Sequence, residues 1–261
     1  MYDIGTRQRA LSLVAQGRSL NSVSKQTGIS RAAIRSWQTR LYPRPGISLR
    51  FAPCVRCRSA PGSPDSADSY AYLLGLYLGD GCISQPPQHR TPSLRITLDD
   101  AWPGVQHEAV AALRAVFPDN SVGWVQKVGC HDLKVHSKHL TCLFPQHGPG
   151  RKHERRIALE PWQQEIVDAH PWAFIRGLVH SDGCRITNWT TRLVGGERKR
   201  YEYPRYFFTN KSDDIRKLFC DALRSVGVEW TTLARGGDPY NISVARKASV
   251  ALMDAHVGPK Y

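Results

Sequence analysis

Two carboxylates stand where a helix does not favour them. The stretches "YLLGLYLGDGCI" (residues 72–83) and "FIRGLVHSDGCR" (residues 174–185) each read as an apolar helix with an aspartate in its last turn, Asp80 and Asp182. A helix C-terminus is the negative end of the macrodipole, so an acid there is repelled rather than stabilised. Gly81 and Gly183 follow directly and read as the glycines of a helix stop, which places the boundary at the acids. If the two helix ends meet, two carboxylates converge at two negative dipole ends and need a counter-ion. Oxygen-rich sites of concentrated negative charge suit Mg²⁺, or Mn²⁺ in its place. Such an ion lowers the pKa of a bound water and stabilises charge on a leaving oxygen.

The elements that must bring the acids together are legible around them. Gly75 and Gly177 occupy equivalent positions, as do Gly79 and Ser181. Small residues four apart let two helices pack with their backbones nearly touching. Each helix heads a longer repeated pattern. In the first half it is followed by a strand, the turn "QPPQHRTPS", the strand "LRITLDD", the helix "GVQHEAVAALRAVF", the hairpin "SVGWVQKVGCHDLKVH" and the short helix "SKHLTCLF". The second half repeats this order through "RITNWTTRLVGGERKRYEYPRYFFTN", "SDDIRKLFCDALRSVG", "VEWTTLARGGDPYNISVA" and "KASVALMDAH". Asp80 and Asp182 are separated by 102 positions, Lys138 and Lys247 by 109, and "LFPQHGPGR" rhymes with "LMDAHVGPK". A duplicated unit of this size predicts two similar lobes about a pseudo-twofold axis, joined by "GPGRKHERRIALEPWQQEIVDAHP".

The order helix–hairpin–helix–hairpin–helix, twice, headed by L-x-G-L-x-x-x-D-G, resembles the LAGLIDADG homing endonucleases over nearly all of residues 68–261. That resemblance implies an α+β fold, a duplicated αββαββα unit whose two saddle-shaped sheets lie over the major groove of DNA. It implies hydrolysis of both strands with short 3′ overhangs, one motif aspartate serving each strand. The implied metal ligands are Asp80 with Gly79, and Asp182 with Ser181; the implied basic partners are Lys138 and Lys247, with Arg246, also a DNA-contact candidate, assisting or replacing Lys247. The hairpins would supply the DNA contacts: Gln85, Gln88, His89 and Arg95; Gln126, Lys127, His131 and Lys134; Arg192, Arg198, Lys199, Arg200 and Arg205. Cations attract phosphates, while Gln and Arg read base edges. The family often carries a polar, water-ordering side chain on each lobe's second strand. Arg95 fits that place in the first half, but the second half offers Phe207.

The charge points to the same partner. The chain carries a formal +14, of which residues 1–67 hold +9. So basic a protein calls for a polyanion, and the skew predicts a separate binding module. "TRQRALSLVAQG", "GRSLNSVSKQTGIS" and "RAAIRSWQTR" read as three helices, with Ser19 and Ser30 as caps and Ala10, Leu11, Val23, Ile34 and Trp37 inward. "GRSLNSVSKQTGISRAAIRSW" resembles the helix-turn-helix of resolvases and transposases, which implies that Ser30, Arg31, Arg35 and Gln38 meet the major groove. The expected domains are therefore a helix-turn-helix over 1–45, a Pro/Gly/Ser-rich linker over 46–67, one lobe over 68–150, and the interlobe segment with the second lobe over 151–261.

Within the linker, Cys54 and Cys57 form a C-x-x-C that could give half of a structural zinc site, although no second pair follows. Seven scattered cysteines read as reduced thiols. No apolar run approaches membrane-span length, and the start lacks a signal-peptide core, so the expected location is the cytoplasm. With both lobes in one chain, the expected state is a monomer with internal pseudo-twofold symmetry. Three functions compete. The first is a site-specific, metal-dependent double-strand DNA endonuclease. The second is a catalytically inactive, sequence-specific transcriptional regulator, because a family of sporulation regulators resembles this pairing in the opposite order. The third is an RNA-splicing cofactor on the same saddle.

Overall fold

The computed structural model describes residues 4–41, 66–85, 91–235 and 238–261. Gln88, His89, Cys54 and Cys57 fall outside these residues. The chain divides into two compact units, Met1–Pro53 and Cys54–Tyr261.

The first unit holds three helices, α1 (Ile4–Ala15), α2 (Leu20–Thr27) and α3 (Arg31–Leu41). Ser19 caps α2 by accepting the N–H of Ser22, and Ser30 accepts the N–H of Ala33 in α3. Gly28 ends α2 in the left-handed conformation at φ 67°, the strain-free choice for a tight stop. Ala10, Val23, Ile29 and Ile34 form a small core of their own. Ser30, Arg31 and Arg35 are exposed on or beside α3, and Gln38 is half-buried.

The second unit repeats one topology twice. The first lobe runs α4 (Ala67–Gly79), β1 (Gly81–Ser84), β2 (Ser93–Asp99), α5 (Pro103–Val116), β3 (Gly123–Lys127), β4 (Cys130–His136) and α6 (Leu140–Leu143). After a connecting helix α7 (Pro161–Ala169), the second runs α8 (Pro171–Asp182), β5 (Gly183–Val194), β6 (Glu197–Thr209), α9 (Asp213–Ser225), β7 (Thr231–Arg235), β8 (Asp238–Val244) and α10 (Lys247–His256). Both sheets are antiparallel, ordered β1-β2-β4-β3 and β5-β6-β8-β7. Along β2 burial alternates, with Leu94, Ile96 and Leu98 turned to the helices; period-two patterning gives a sheet one apolar face and one open face. Prolines at the first turns of α5, α7 and α8 start those helices where no N–H partner is lost. The sequence did not announce α7, which packs between the lobes.

α4 and α8 lie at the centre. A Cβ on Gly75 would come within 2.6 Å of the Phe174 carbonyl and 2.7 Å of the Leu178 nitrogen, and one on Gly177 would overlap the Tyr72 carbonyl. The backbones touch, as the small-residue spacing predicts. Gly81 and Gly183 correct a second expectation: neither is left-handed, and Gly183 has φ −104°. They are glycine because a Cβ would sit 2.5 Å from Tyr77 Cα, or 2.7 Å from Val179 Cα, where the strand doubles back on its helix.

Candidate active site and nucleic-acid interface

Because α4 and α8 pack in register, their C-terminal ends meet. Asp182 Oδ2 lies 3.0 Å from the point where a Cβ on Gly79 would stand. Asp80 is open to solvent on one side, yet crowded protein and the Asp182 charge raise its pKa to about 6, against the pull of Lys260 and Lys152. Burial also raises Asp182, although Asn210 donates to its Oδ2 at 2.6 Å and the same two lysines oppose the shift. The pair therefore carries the unfavourable energy expected of two acids at two helix ends.

The cations beside them are not those the sequence singled out. Lys138 and Lys247 are exposed at the approaches to α6 and α10, and the lysines that act on the carboxylates are Lys152 and Lys260. Lys152 Nζ donates to the carbonyls of Tyr77 (2.5 Å), Leu78 (3.0 Å) and Gly79 (2.7 Å), satisfying the last turn of α4. Lys260 Nζ donates to the Ser181 carbonyl at 2.8 Å in the matching place. Burial lowers Lys152 to about 8, opposed by Asp182 and Asp80. The nearest sequence signal, the rhyme of "LFPQHGPGR" with "LMDAHVGPK", sets Arg151 rather than Lys152 opposite Lys260. Arg246 stands at the N-cap position of α10, where its side chain makes no capping hydrogen bond and pairs with Glu229 instead.

The two halves are not equivalent. The β-sheet registers Gly81↔Ile96 and Gly183↔Phe208 make Leu98 the counterpart of Asn210. Asp182 is thus held by an amide, whereas Asp80 adjoins a cavity of about 260 Å³ also lined by Leu98, Asp99, His180 and Lys260. His180 is buried, its Nδ1 2.9 Å from Tyr72 Oη across the helix pair; burial, with Arg176 and Lys260, lowers its pKa to about 4 and keeps it neutral. Lys260 is held in place from the other lobe. The Tyr261 carbonyl accepts the N–H groups of Gly104 (2.8 Å) and Val105 (3.3 Å) at the start of α5, and its ring fills the space a Gly104 side chain would need.

The donor set can be tested against a divalent cation. Two carboxylates and the Gly79 and Ser181 carbonyls offer only oxygen, and burial with the Asp182 charge leaves the Asp80 carboxylate short of stabilisation as an anion. The residues fit Mg²⁺ or Mn²⁺. Among the described residues no group of three or more His, Cys, Asp or Glu side chains could hold a metal. Zinc at Cys54 and Cys57 lies outside the described residues.

Strand register sorts the expected DNA contacts by face. Arg95, Lys127 and Lys134 lie on the open face of the first sheet, around Asp132, which bonds Thr97 at 2.7 Å and pairs with Lys127 at 2.7 Å. Burial raises the Asp132 pKa, but the Lys127 and Thr97 hydrogen bonds and the Arg95 charge outweigh it and hold it low. Gln126 and His131 face the other way, both bonded to Asp100. This corrects the expectation that they reach the groove: one residue of offset sends a strand side chain to the opposite face. In the second sheet Arg192, Lys199 and Arg205 share the open face with Cys184 and Phe207, while Arg198 and Arg200 point to the helix side, Arg200 stacking over Trp189. Gln85 is exposed just beyond β1. Cys82 and Cys184 are exposed, opposite Arg95 and Phe207 in the strand registers.

No protein-family model matches the chain, and no curated protein does. Solved structures do. Mesophilic variants of the homing endonuclease I-DmoI superpose with TM-score 0.50 at 17% identity, covering 74% of this chain and 90% of theirs. I-DmoI in complex with DNA and Mn gives TM-score 0.50 at 16% identity, covering 75% and 98%, and the complex with DNA and Ca gives 0.50 at 18%, covering 74% and 90%. The N-terminal LAGLIDADG domain of WhiA gives 0.46 at 10%, covering 75% and 86%. At these identities the likeness is one of architecture. No helix among the described residues is long and apolar enough to cross a membrane. With its duplicated topology and its paired glycine-lined central helices, the second unit has the LAGLIDADG homing-endonuclease fold.

Proposed function

We propose that the chain is a site-specific, divalent-metal-dependent DNA endonuclease, a single chain in which Asp80 and Asp182 each serve one strand. The observation that carries this reading is the convergence of two carboxylates from equivalent helix ends, with two ammoniums beside them, Lys152 from the interlobe segment and Lys260 from beyond the last helix of the second lobe. Asp80 and Asp182, with the Gly79 and Ser181 carbonyls, would hold the metal. When bound, a divalent cation lowers the pKa of a water and offsets charge on a leaving oxygen. Lys152 and Lys260 stand where they would stabilise negative charge developing on a phosphate. Asn210 orients the Asp182 carboxylate through its amide. Arg95, Lys127, Lys134, Arg192, Lys199 and Arg205 on the open sheet faces would attract the backbone. Ser30, Arg31, Arg35 and Gln38 on the first unit would add a second contact, raising affinity through effective concentration.

A second reading, a sequence-specific DNA-binding regulator without cleavage, is favoured by one observation. The two ammoniums already satisfy the helix-end carbonyls and offset the carboxylates, so the site is partly neutralised by the chain itself. A plasmid library carrying random inserts separates the two. Under the first reading, Mg²⁺ supports cutting that EDTA abolishes and that Asp80→Asn with Asp182→Asn removes. Lys152→Met should slow cutting by roughly 10²-fold, as loss of one charge-stabilising donor does, while Lys138→Met leaves it within twofold. Tight selective binding with no cutting in any metal would establish the regulator instead.

A further inference from the structure

The two sheets differ in one respect that the duplication does not predict. β6 pairs with β8 only over Tyr206–Thr209, yet its ladder with β5 continues out to Val194↔Glu197. Residues 186–205 therefore form a two-stranded ribbon standing clear of the sheet, with both outer edges unpaired. The first lobe has no such overhang among the described residues: β2 pairs with β4 along its whole length, Ser93–Asp99, and β1 has four residues. Pro204 lies just beyond the last β8 partner, where the strand has no outer ladder to lose. Gly195 (φ 61°) and Gly196 (φ 85°) close the tip with the two left-handed residues of a tight hairpin turn, which fixes the register.

What the ribbon meets follows from its charge and its faces. It carries five cations against Glu197 and Glu202, so two copies would repel rather than pair. Its open face presents Asn188, Thr190, Arg192, Lys199, Tyr201 and Tyr203, side chains that can bond base edges and phosphates. The opposite face carries Arg198 and Arg200 beside the exposed Trp189 and Leu193. The major groove of duplex DNA is wide enough to admit a two-stranded ribbon. The nine residues from Glu197 to Arg205 span about 30 Å at roughly 3.3 Å each, the length of about nine base pairs at roughly 3.4 Å each.

We propose that residues 186–205 are a sequence-reading ribbon that lies in the major groove and lengthens the half-site under the second lobe by up to about nine base pairs over that under the first. This rests on the DNA-binding reading above. The test is selection of bound duplexes from a randomised 60-base-pair pool by the full chain in EDTA, where cleavage plays no part. Three variants accompany the wild type. One replaces Thr190–Tyr201 with Asn-Gly; the second carries Arg192→Ala and Lys199→Ala on the open face; the third carries Arg198→Ala and Arg200→Ala on the other face. The wild type should enrich a site with positions extending to one side. The shortened ribbon should lose those outer positions alone, and the open-face pair should bind the wild-type site about tenfold more weakly with relaxed choice there. The third variant should keep the base preferences. A thermal melt checks each variant's fold, and if the shortened ribbon fails to fold, the open-face pair decides. Unchanged outer positions in the folded variants overturn the ribbon proposal alone, whereas a wild type that binds no duplex in a salt-dependent way overturns the DNA reading with it.

Discussion

Asp80 couples the chemistry of the site to the stability of the fold. Burial and the Asp182 charge raise its pKa from 3.8 to about 6, so the folded chain binds this proton more tightly than the unfolded chain does. The sign follows: protonation stabilises the fold as pH falls from about 6 toward 4, and the ionised carboxylate weakens it above about 6. Asp80→Asn should therefore raise the Tm by a few degrees at pH 7.5 in EDTA, and by only a fraction of that at pH 4.5. Mg²⁺ should raise the wild-type Tm at pH 7.5, since a ligand that binds only the folded state stabilises it, and should do so less for the variant. Scanning calorimetry at the two pH values checks both, and a destabilised Asp80→Asn at pH 7.5 would remove the repulsion on which the site depends. At this scale the two acids were legible because an acid at a helix end is locally unfavourable and occurs twice. The lysines that answer them were not. Lys152, at the start of a short 3-10 turn, and Lys260, beyond the last helix, act from far along the chain through backbone carbonyls that leave no periodic trace in the sequence.

The α4–α8 pair sets the distance between the two acids, and its glycines set that pair. Gly177 has the Tyr72 carbonyl where a methyl would go, and Gly75 Cα stands 3.0 Å from the same point. Neither neighbour is a side chain that can swing aside. Gly177→Ala should cost at least the upper part of the roughly 1–3 kcal/mol typical of overpacking, read as a lower urea midpoint with an unchanged slope. Gly195→Ala, at the ribbon tip with nothing within 4 Å, is strained only by its φ of 61° and should cost about 1–2 kcal/mol. Equal losses at the two sites would mean that the helices do not touch as described. The elements themselves were readable from periodicity and repetition: the order of strands and helices within each lobe follows the expected one. Two features escaped. α7 is a nine-residue helix inside a segment read as a connection, and Gly81 looked like a left-handed stop when a close approach of strand to helix was the cause. Sequence shows that a side chain is missing, not which neighbour forbids it.

At the scale of the whole molecule, charge is distributed so that the first unit does more than its length suggests. Nine Lys and Arg against one Asp fall in residues 1–53, while the formal charge of the entire chain is +14. The first unit has its own small core around Val23 and Ile34, separate from the core of the lobes, so its contribution can be altered without disturbing the candidate catalytic centre. Each phosphate neutralised by a cation releases counter-ions, and the logarithm of affinity falls against the logarithm of salt with a slope near −0.9 per contact. Arg31→Ala with Arg35→Ala, both exposed on α3, should therefore lower the salt slope of duplex binding by about 1.8 if both meet phosphates. The weakening should be greatest in low salt and shrink as salt rises. Cleavage of fully bound DNA should keep its rate, because neither residue stands near Asp80 or Asp182 in the chain and the effective-concentration gain vanishes at saturation. Binding isotherms from 50 to 300 mM KCl, followed by single-turnover cutting at saturating protein, separate the two effects. An unchanged slope with an unchanged cutting rate would leave the first unit without a DNA contact and shift the whole electrostatic attraction onto the sheets.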